Sequence, residues 1–457
     1  MINPGIFREY DIRGIVDKDL TNDTVSLLAK GAATYFINAG CKTVSVGRDV
    51  RLSGKRFSDL VVHEFVNAGL HVQDLGEITS PMSYWSTFKL PIDGAIMITA
   101  SHNPADYNGF KISIGTNSIY GSDLQDLLKL IQSGKFATGK GSSIEVDIRD
   151  EYLKDITSRI KLGKKIKVVT DCANATGGLI APDYYRMIGC EVIELYSEID
   201  GRFPNHHPDP TVDKYLVDLI AKVKETGADL GVGFDGDSDR IGVVDNLGRV
   251  IRGDALLAIL ARDVLARHKG AEIVFDVKCS QGLIEDIENH GGKPIMWKTG
   301  HSLIKSKMKE INGLIAGEMS GHLFISDDFY GFDDAIFDGA RLIQLLSRTD
   351  EKLSAMHDSF PKFFSTPETR LDVANDEIKF QMVAKAVEFF KKNYEVIDID
   401  GVRVQFGDGW GLIRASNTQP VIVVRFEAKT PERRDEIMNI MLGKLKEYGD
   451  FHEGHGH

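Results

Sequence analysis

Short apolar runs rich in β-branched residues alternate with longer segments of helical period along most of this chain, the pattern of an α/β architecture. It predicts a helix over 22–38, a strand over 44–49, a second helix closing at Gly69 and a wholly apolar strand over 95–98. Further on it predicts strands over 166–170, 230–234, 273–277, 294–297 and 314–316, a hairpin over 243–250, and helices over 212–225, 254–268 and 338–346. One junction recurs: Ile37-Asn38-Ala39-Gly40-Cys41 is similar to Val66-Asn67-Ala68-Gly69-Leu70, with looser versions at Gly189 and Gly291. Each reads as a helix stopped by a glycine that enters the left-handed cap, with a strand following. The repetition gives weak support to several similar α/β units. After about Phe364 the pattern shortens to strands over 395–404, 411–414 and 421–426. A last helix starts at Thr430-Pro431-Glu432, where threonine caps and proline suits the first turn. This is the pattern of a smaller α+β unit.

A chain of 457 residues exceeds one ordinary core and implies three or four domains. The expected divisions are 1–147, 148–249, 250–363 and 364–457, with the Gly/Ser/Lys-rich stretch 134–143 near the first boundary. No apolar run approaches a membrane span, and the first ten residues lack an apolar signal core, so a cytoplasmic location is expected. Cys41, Cys172, Cys190 and Cys279 are scattered, which suits a reducing compartment and argues against a disulfide framework or a zinc–thiolate site. The formal net charge of −12 repels nucleic acid and acidic membranes, so neither is an expected partner. An anionic substrate would require arginine, lysine and metal gathered locally.

Four loops carry candidate chemistry. Thr99-Ala100-Ser101-His102-Asn103-Pro104 leaves the 95–98 strand and displays a hydroxyl at its end. By itself it is as well explained as a polar turn. Asp235-Gly236-Asp237-Ser238-Asp239-Arg240 puts alternate carboxylates around a tight turn, where they would repel without a cation; oxygen ligands favour Mg²⁺ or Ca²⁺. The run is similar to the opening of a calcium loop but lacks the later glutamate and follows a strand. Gly317-Glu318-Met319-Ser320-Gly321-His322 offers a carboxylate and a hydroxyl at alternate positions, suited to neighbouring sugar hydroxyls. Arg414-Ala415-Ser416-Asn417-Thr418-Gln419-Pro420 joins arginine to hydroxyls and backbone N–H groups, suited to phosphate. Arg13, Arg48, Lys111, Lys278, Lys298 and His301 stand at strand ends or in loops and individually read as solvated charges.

In this order, and spread over almost the whole chain, the four loops resemble the α-D-phosphohexomutase superfamily, most closely its bacterial phosphomannomutase/phosphoglucomutase branch. The resemblance implies three related α/β units with mixed sheets and a smaller C-terminal α+β domain around a central cleft. It implies that Ser101 is a phosphoserine and that Asp235, Asp237 and Asp239, with a phosphate oxygen on Ser101, hold Mg²⁺. Glu318 and Ser320 would bind sugar hydroxyls; Arg414, Ser416, Asn417 and Thr418 would bind the non-reacting phosphate. Tyr10, Arg13, Lys111, Arg240, Lys278, His301 and His322 fall in matching cleft segments. Two departures stand out: Ser238 replaces a small glycine or alanine, and Asn417 and Gln419 depart from the commoner Gly-Thr-Glu-Pro pattern.

The implied reaction passes a phosphoryl group from Ser101 to a hexose phosphate, turns the resulting hexose 1,6-bisphosphate around, and returns the other phosphate to the serine. Lys111 and Arg240 would assist Mg²⁺ in offsetting charge, and either His301 or Lys278 would exchange the hydroxyl proton. The expected partners are small hexose phosphates, mannose or glucose, and the chain is expected to act as a monomer. A phosphoglucosamine mutase, a sugar-phosphate phosphatase and a silent sensor are the alternatives.

Overall fold

The computed structural model describes residues 2–416 and 421–453. Three sheets share one strand order. In the first, Gly94–Ile98 lies parallel to Thr43–Arg48, His71–Glu77 comes next, and Tyr107–Ile114 returns antiparallel on the other side. The second repeats this with Leu230–Phe234 beside Lys167–Asp171, then Glu191–Leu195, and Ile241–Asp245 returning. The third does so with Ile315–Gly317 beside Glu272–Asp276, then Lys293–Trp297, and Leu323–Ile325 returning. The loops carrying Ser101, the aspartates and Glu318 therefore hold one topological position. Each leaves the carboxyl end of a buried parallel strand just before the sheet turns antiparallel, an end where α/β sheets bind ligands.

Local signals explain the elements. Thr21 accepts from the Thr24 N–H and caps the helix Asn22–Asn38. Gly69, at φ +106°, closes Gly54–Ala68 in the left-handed conformation. The 134–143 stretch is more than a linker, because Ser142–Glu145 pairs with His71–Glu77 at the edge of the first sheet. The segment expected as one helix over 212–225 is a short 3-10 turn, Asp213–Tyr215, followed by the helix Val217–Thr226. Between them Leu216 is buried in a non-helical conformation. The run 395–404 is likewise a hairpin, Glu395–Ile397 paired with Val402–Gln405, because Gly401 turns the chain at φ +74°. Helices Ser122–Ser133, His301–Glu310 and Asp376–Asn393 were not marked by the hydrophobic pattern.

The fourth unit is an antiparallel sheet running from Glu395–Ile397 through Val402–Gln405, Gly409–Ala415, Val421–Ala428 and Thr369–Asp372 to His452–Glu453, packed with the helices Asp376–Asn393 and Pro431–Lys446 around its own core. The second and third sheets share one apolar core that also takes in Met82 and Trp85 of the first unit. The fourth unit meets the third through a small apolar cluster of Val277, Trp410 and Leu412 and through buried polar groups. Arg403 donates to the carbonyls of Val277 and Cys279 at 2.8 and 2.7 Å, and Arg425 donates to that of Lys278 at 2.6 Å. Among the described residues no helix is long and apolar enough to cross a membrane.

Candidate active site

Ser101 is buried at the end of its strand with φ +50°, a conformation unusual for a residue with a Cβ. The Thr99 hydroxyl accepts from its N–H at 2.9 Å. Ser101 Oγ donates to Asp235 Oδ2 at 2.7 Å and lies 3.0 Å from His102 Nδ1. Burial and the surrounding cations hold His102 well below the usual imidazole range, so it is neutral.

Asp235, Asp237 and Asp239 are fully buried, and one oxygen of each lies within 4.8 Å of the others. Lys111 Nζ pairs with both Asp237 and Asp239 at 2.6 Å, and the Ser80 hydroxyl donates to Asp237 at 2.6 Å. Burial, then the like charges of Asp237 and Asp239, push the Asp235 carboxyl far above the carboxylate range. Asp237 is lowered instead: burial opposes this, but Lys111 and Ser80 outweigh it. Asp237 Oδ1 and Asp239 Oδ1 are buried without a protein partner. One lysine thus pairs with two of the three buried carboxylates and leaves an oxygen of each of those two without a hydrogen bond. The donor set is all oxygen, which fits a small hard dication. Ser238, at φ +63°, shares a 2.9 Å hydroxyl contact with Thr176 and so keeps a side chain where a left-handed turn favours glycine.

Around this focus, Arg13 pairs with Asp11 at 2.7 Å and donates to Asn103 Oδ1 at 2.8 Å. Arg240 Nε donates to His322 Nε2 at 2.9 Å, and His322 Nδ1 lies 3.0 Å from Asp333 Oδ2. His301 stacks on His322 with ring centroids 5.4 Å apart; burial and Lys305 keep it well below the usual imidazole range. The third loop closes over these groups. Glu318 Oε1 accepts from the Gly300 N–H, and Ser320 Oγ donates to Glu318 Oε2 at 3.2 Å. Burial raises Glu318 despite His322 and Lys278 nearby. Tyr10 from the first unit reaches across to donate to the Thr299 carbonyl at 2.6 Å. Its ring covers Gly300, where a Cβ would sit 2.4 Å from it.

Lys278 pairs with Glu368 at 2.9 Å and lies 3.7 Å from Asp276. Burial opposes its charge, but these two carboxylates raise its affinity for the proton. Arg414 pairs with Asp400 at 3.0 Å; the same Asp400 oxygen accepts from the Thr299 N–H, tying the fourth unit to the third. The Ser416 carbonyl accepts from Lys379 at 2.7 Å. Asn417 and Thr418 lie outside the described residues. Asp333, Asp276, Glu368, Asp400 and Arg51 are site groups that sequence reasoning did not pick out. They lie in unremarkable segments, and each acts through contacts that only the folded arrangement brings together. Arg51, in the polar loop after the 44–49 strand, was the one with a local signal.

Four units of this form around one cleft are the architecture of the α-D-phosphohexomutase superfamily. Family models for phosphoglucomutase/phosphomannomutase α/β/α domains I, II and III match residues 4–137, 150–248 and 252–363, and that for the C-terminal domain matches 368–443. The chain belongs to the phosphoglucomutase/phosphomannomutase family. It is 46% identical over 443 residues to a phosphomannomutase/phosphoglucomutase of Pseudomonas putida, covering 96% of this chain and 95% of that one. It is 43% identical over 438 residues to a phosphoglucomutase of Neisseria meningitidis, covering 95% of each. A crystal structure of a phosphoglucomutase/phosphomannomutase family protein from Burkholderia thailandensis superposes with a TM-score of 0.93 at 40% identity, covering 99% of this chain and 100% of that one.

Proposed function

We propose that this chain is a phosphohexomutase that interconverts the 1- and 6-phosphates of mannose or glucose through phosphorylated Ser101 and a hexose 1,6-bisphosphate. The observation that carries the reading is the 2.7 Å contact of Ser101 Oγ with Asp235, inside a cluster of three buried carboxylates. Asp235, Asp237 and Asp239 would hold Mg²⁺, together with a phosphate oxygen on Ser101. An ion held there would supply Lewis-acid stabilisation of the charge on the transferring phosphoryl group.

The substrate's free hydroxyl oxygen forms a bond to phosphorus as the bond from phosphorus to Ser101 Oγ breaks, and Oγ takes up a proton as it leaves, so that none is gained or lost overall. The proton of the substrate hydroxyl leaves to a neutral base. Of the two candidates, His301 suits this, because it is buried uncharged, whereas Lys278 is held protonated by Glu368 and Asp276. Lys278 then serves as a fixed positive charge for phosphate. Lys111, Arg13 and Arg240 offset charge on the transferring group, and His322 sits between Arg240 and Asp333. Glu318, Ser320 and Tyr10 hold the sugar. Arg414, Ser416, Asn417 and Thr418 anchor the distal phosphate in both orientations of the bisphosphate. Return of the second phosphoryl group to Ser101 Oγ completes the cycle.

The divisions 1–147, 148–249, 250–363 and 364–457 belong to this proposal, as does a monomer. The four cysteines are all free and buried, which supports a cytoplasmic setting. The test compares rates on mannose, glucose and glucosamine 1-phosphates with Mg²⁺ and a trace of the bisphosphate, with phosphopeptide mass spectrometry on Ser101. Inorganic phosphate released in step with substrate loss would make the chain a phosphatase. Wild-type turnover in Ser101→Ala at every bisphosphate concentration would overturn the mechanism.

A further inference from the structure

Arg51 lies beneath the serine loop with its side chain wholly buried. Its Nε donates to Asp49 Oδ2 at 3.2 Å. Nη1 donates to the carbonyls of Pro104 and Tyr107 at 2.5 and 3.0 Å, and Nη2 to those of Ser101 and Asn103 at 2.8 and 2.5 Å. All five N–H groups of the guanidinium are thus used, four of them on one short stretch of backbone. Asp49 neutralises the charge and also accepts from the Arg51 N–H at 2.9 Å, so the cradle is itself anchored. From the second unit, Phe203 covers the guanidinium at 5.4 Å, and Gly236 packs under the same Ser101 carbonyl.

We propose that Arg51 is a positioning residue that sets the Ser101 turn against the carboxylate loop, so that a phosphoryl group on the serine meets the sugar hydroxyl and not water. This rests on Ser101 being the phosphoryl carrier. The geometry separates Arg51 from an ordinary buried cation: it binds no side chain of the cleft, and it holds the carbonyl of the reacting residue and three others of its turn. A lysine carries three donors on one atom and cannot span carbonyls spread along the turn. Once the turn relaxes, a water oxygen can attack phosphorus from an open side. The bond from phosphorus to Oγ then breaks, giving inorganic phosphate and free serine.

The test phosphorylates wild type, Arg51→Lys and Asp49→Asn with glucose 1,6-bisphosphate and counts phosphoserine by intact mass. It then measures kcat per phosphorylated molecule, KM for glucose 1-phosphate and phosphoserine hydrolysis. For Arg51→Lys we expect kcat to fall about 30-fold with KM within about 3-fold, and hydrolysis to quicken about 5-fold or more. Amide exchange over residues 100–108 should also quicken, and Asp49→Asn should shift every readout less in the same direction. A lower melting temperature with unchanged kcat per phosphorylated molecule and unchanged hydrolysis overturns the assignment. If Arg51→Lys does not fold, unchanged values in Asp49→Asn overturn it equally. Wild type that takes no phosphate on Ser101 removes the underlying function instead, a different result from either.

Discussion

A Cβ at Gly236 would lie 2.2 Å from the carbonyl oxygen of Ser101. The carboxylate loop of the second unit and the serine loop of the first are therefore packed backbone to backbone, and no side chain fits between them. Gly236→Ala must push the loops apart, and backbone cannot swing aside as a flexible side chain does. We expect a stability cost of about 1–3 kcal/mol. The larger effect falls on turnover, since a displacement near 1 Å at a reacting group costs on the order of 100-fold. Steady-state kinetics beside a thermal melt separate the two.

The contact between Ser238 and Thr176 leads to a second expectation. Thr176 Oγ1 also lies 3.1 Å from the Gly236 carbonyl, so one hydroxyl braces two points of the carboxylate loop. Thr176→Val should cost about 1–3 kcal/mol, because it leaves the buried Ser238 hydroxyl without that partner. Ser238→Gly relieves the left-handed strain and should change stability little. Adding it to Thr176→Val should recover part of the loss, a non-additivity that a double-mutant cycle with urea midpoints measures.

The sequence made the Ser101, Asp235 and Glu318 loops legible because each follows a short, wholly apolar strand and carries dense local chemistry. It also pointed to Gly69 as a helix stop, since one residue's backbone freedom suffices there. It could not show that these loops share one topological position, because strand order is set by pairing between distant segments. Asp333 and Asp400 were hidden because each draws its meaning from the packing of separate elements, on Lys305 and His322 for one and on Thr299 and Arg414 for the other. The hairpin at Gly401 read as a single strand because apolar and polar residues alternate through 396–404 with little interruption.

Removing the metal should reveal the strain among the carboxylates. In chelator, Asp235→Asn should melt no lower than wild type, because the amide removes a carboxyl that burial and its neighbours otherwise force to take up a proton. On adding Mg²⁺, wild type should be stabilised by about 2.7 kcal/mol at a concentration 100 times the dissociation constant. Asp235→Asn should lose most of that gain together with turnover. A variant that keeps the full Mg²⁺-induced shift would show that the ion binds elsewhere.

Asp334 should make stability depend on pH. It accepts the Tyr152 hydroxyl at 2.5 Å and the Phe337 N–H at 3.0 Å, capping the helix Ala335–Ser347 inside the protein. Burial nevertheless pushes its carboxyl up to about 7. An unfolded aspartate ionises near 3.9. Below about pH 4 the group is neutral in both states and folding is unaffected. Between about pH 4 and 7 the unfolded chain releases a proton that the folded chain keeps, so stability falls by about 1.4 kcal/mol per pH unit. Above about 7 both states are ionised and the loss levels off. Asn at this position stays neutral throughout; its Oδ1 can still cap the helix while its Nδ2 donates to the Tyr152 oxygen. Asp334→Asn should therefore match wild type near pH 4.5 and exceed it near pH 8 by a few kcal/mol, on the order of the full shift. Urea unfolding of both proteins at the two pH values measures the difference; an equal gap at both would mean that Asp334 keeps an ordinary proton affinity in the fold.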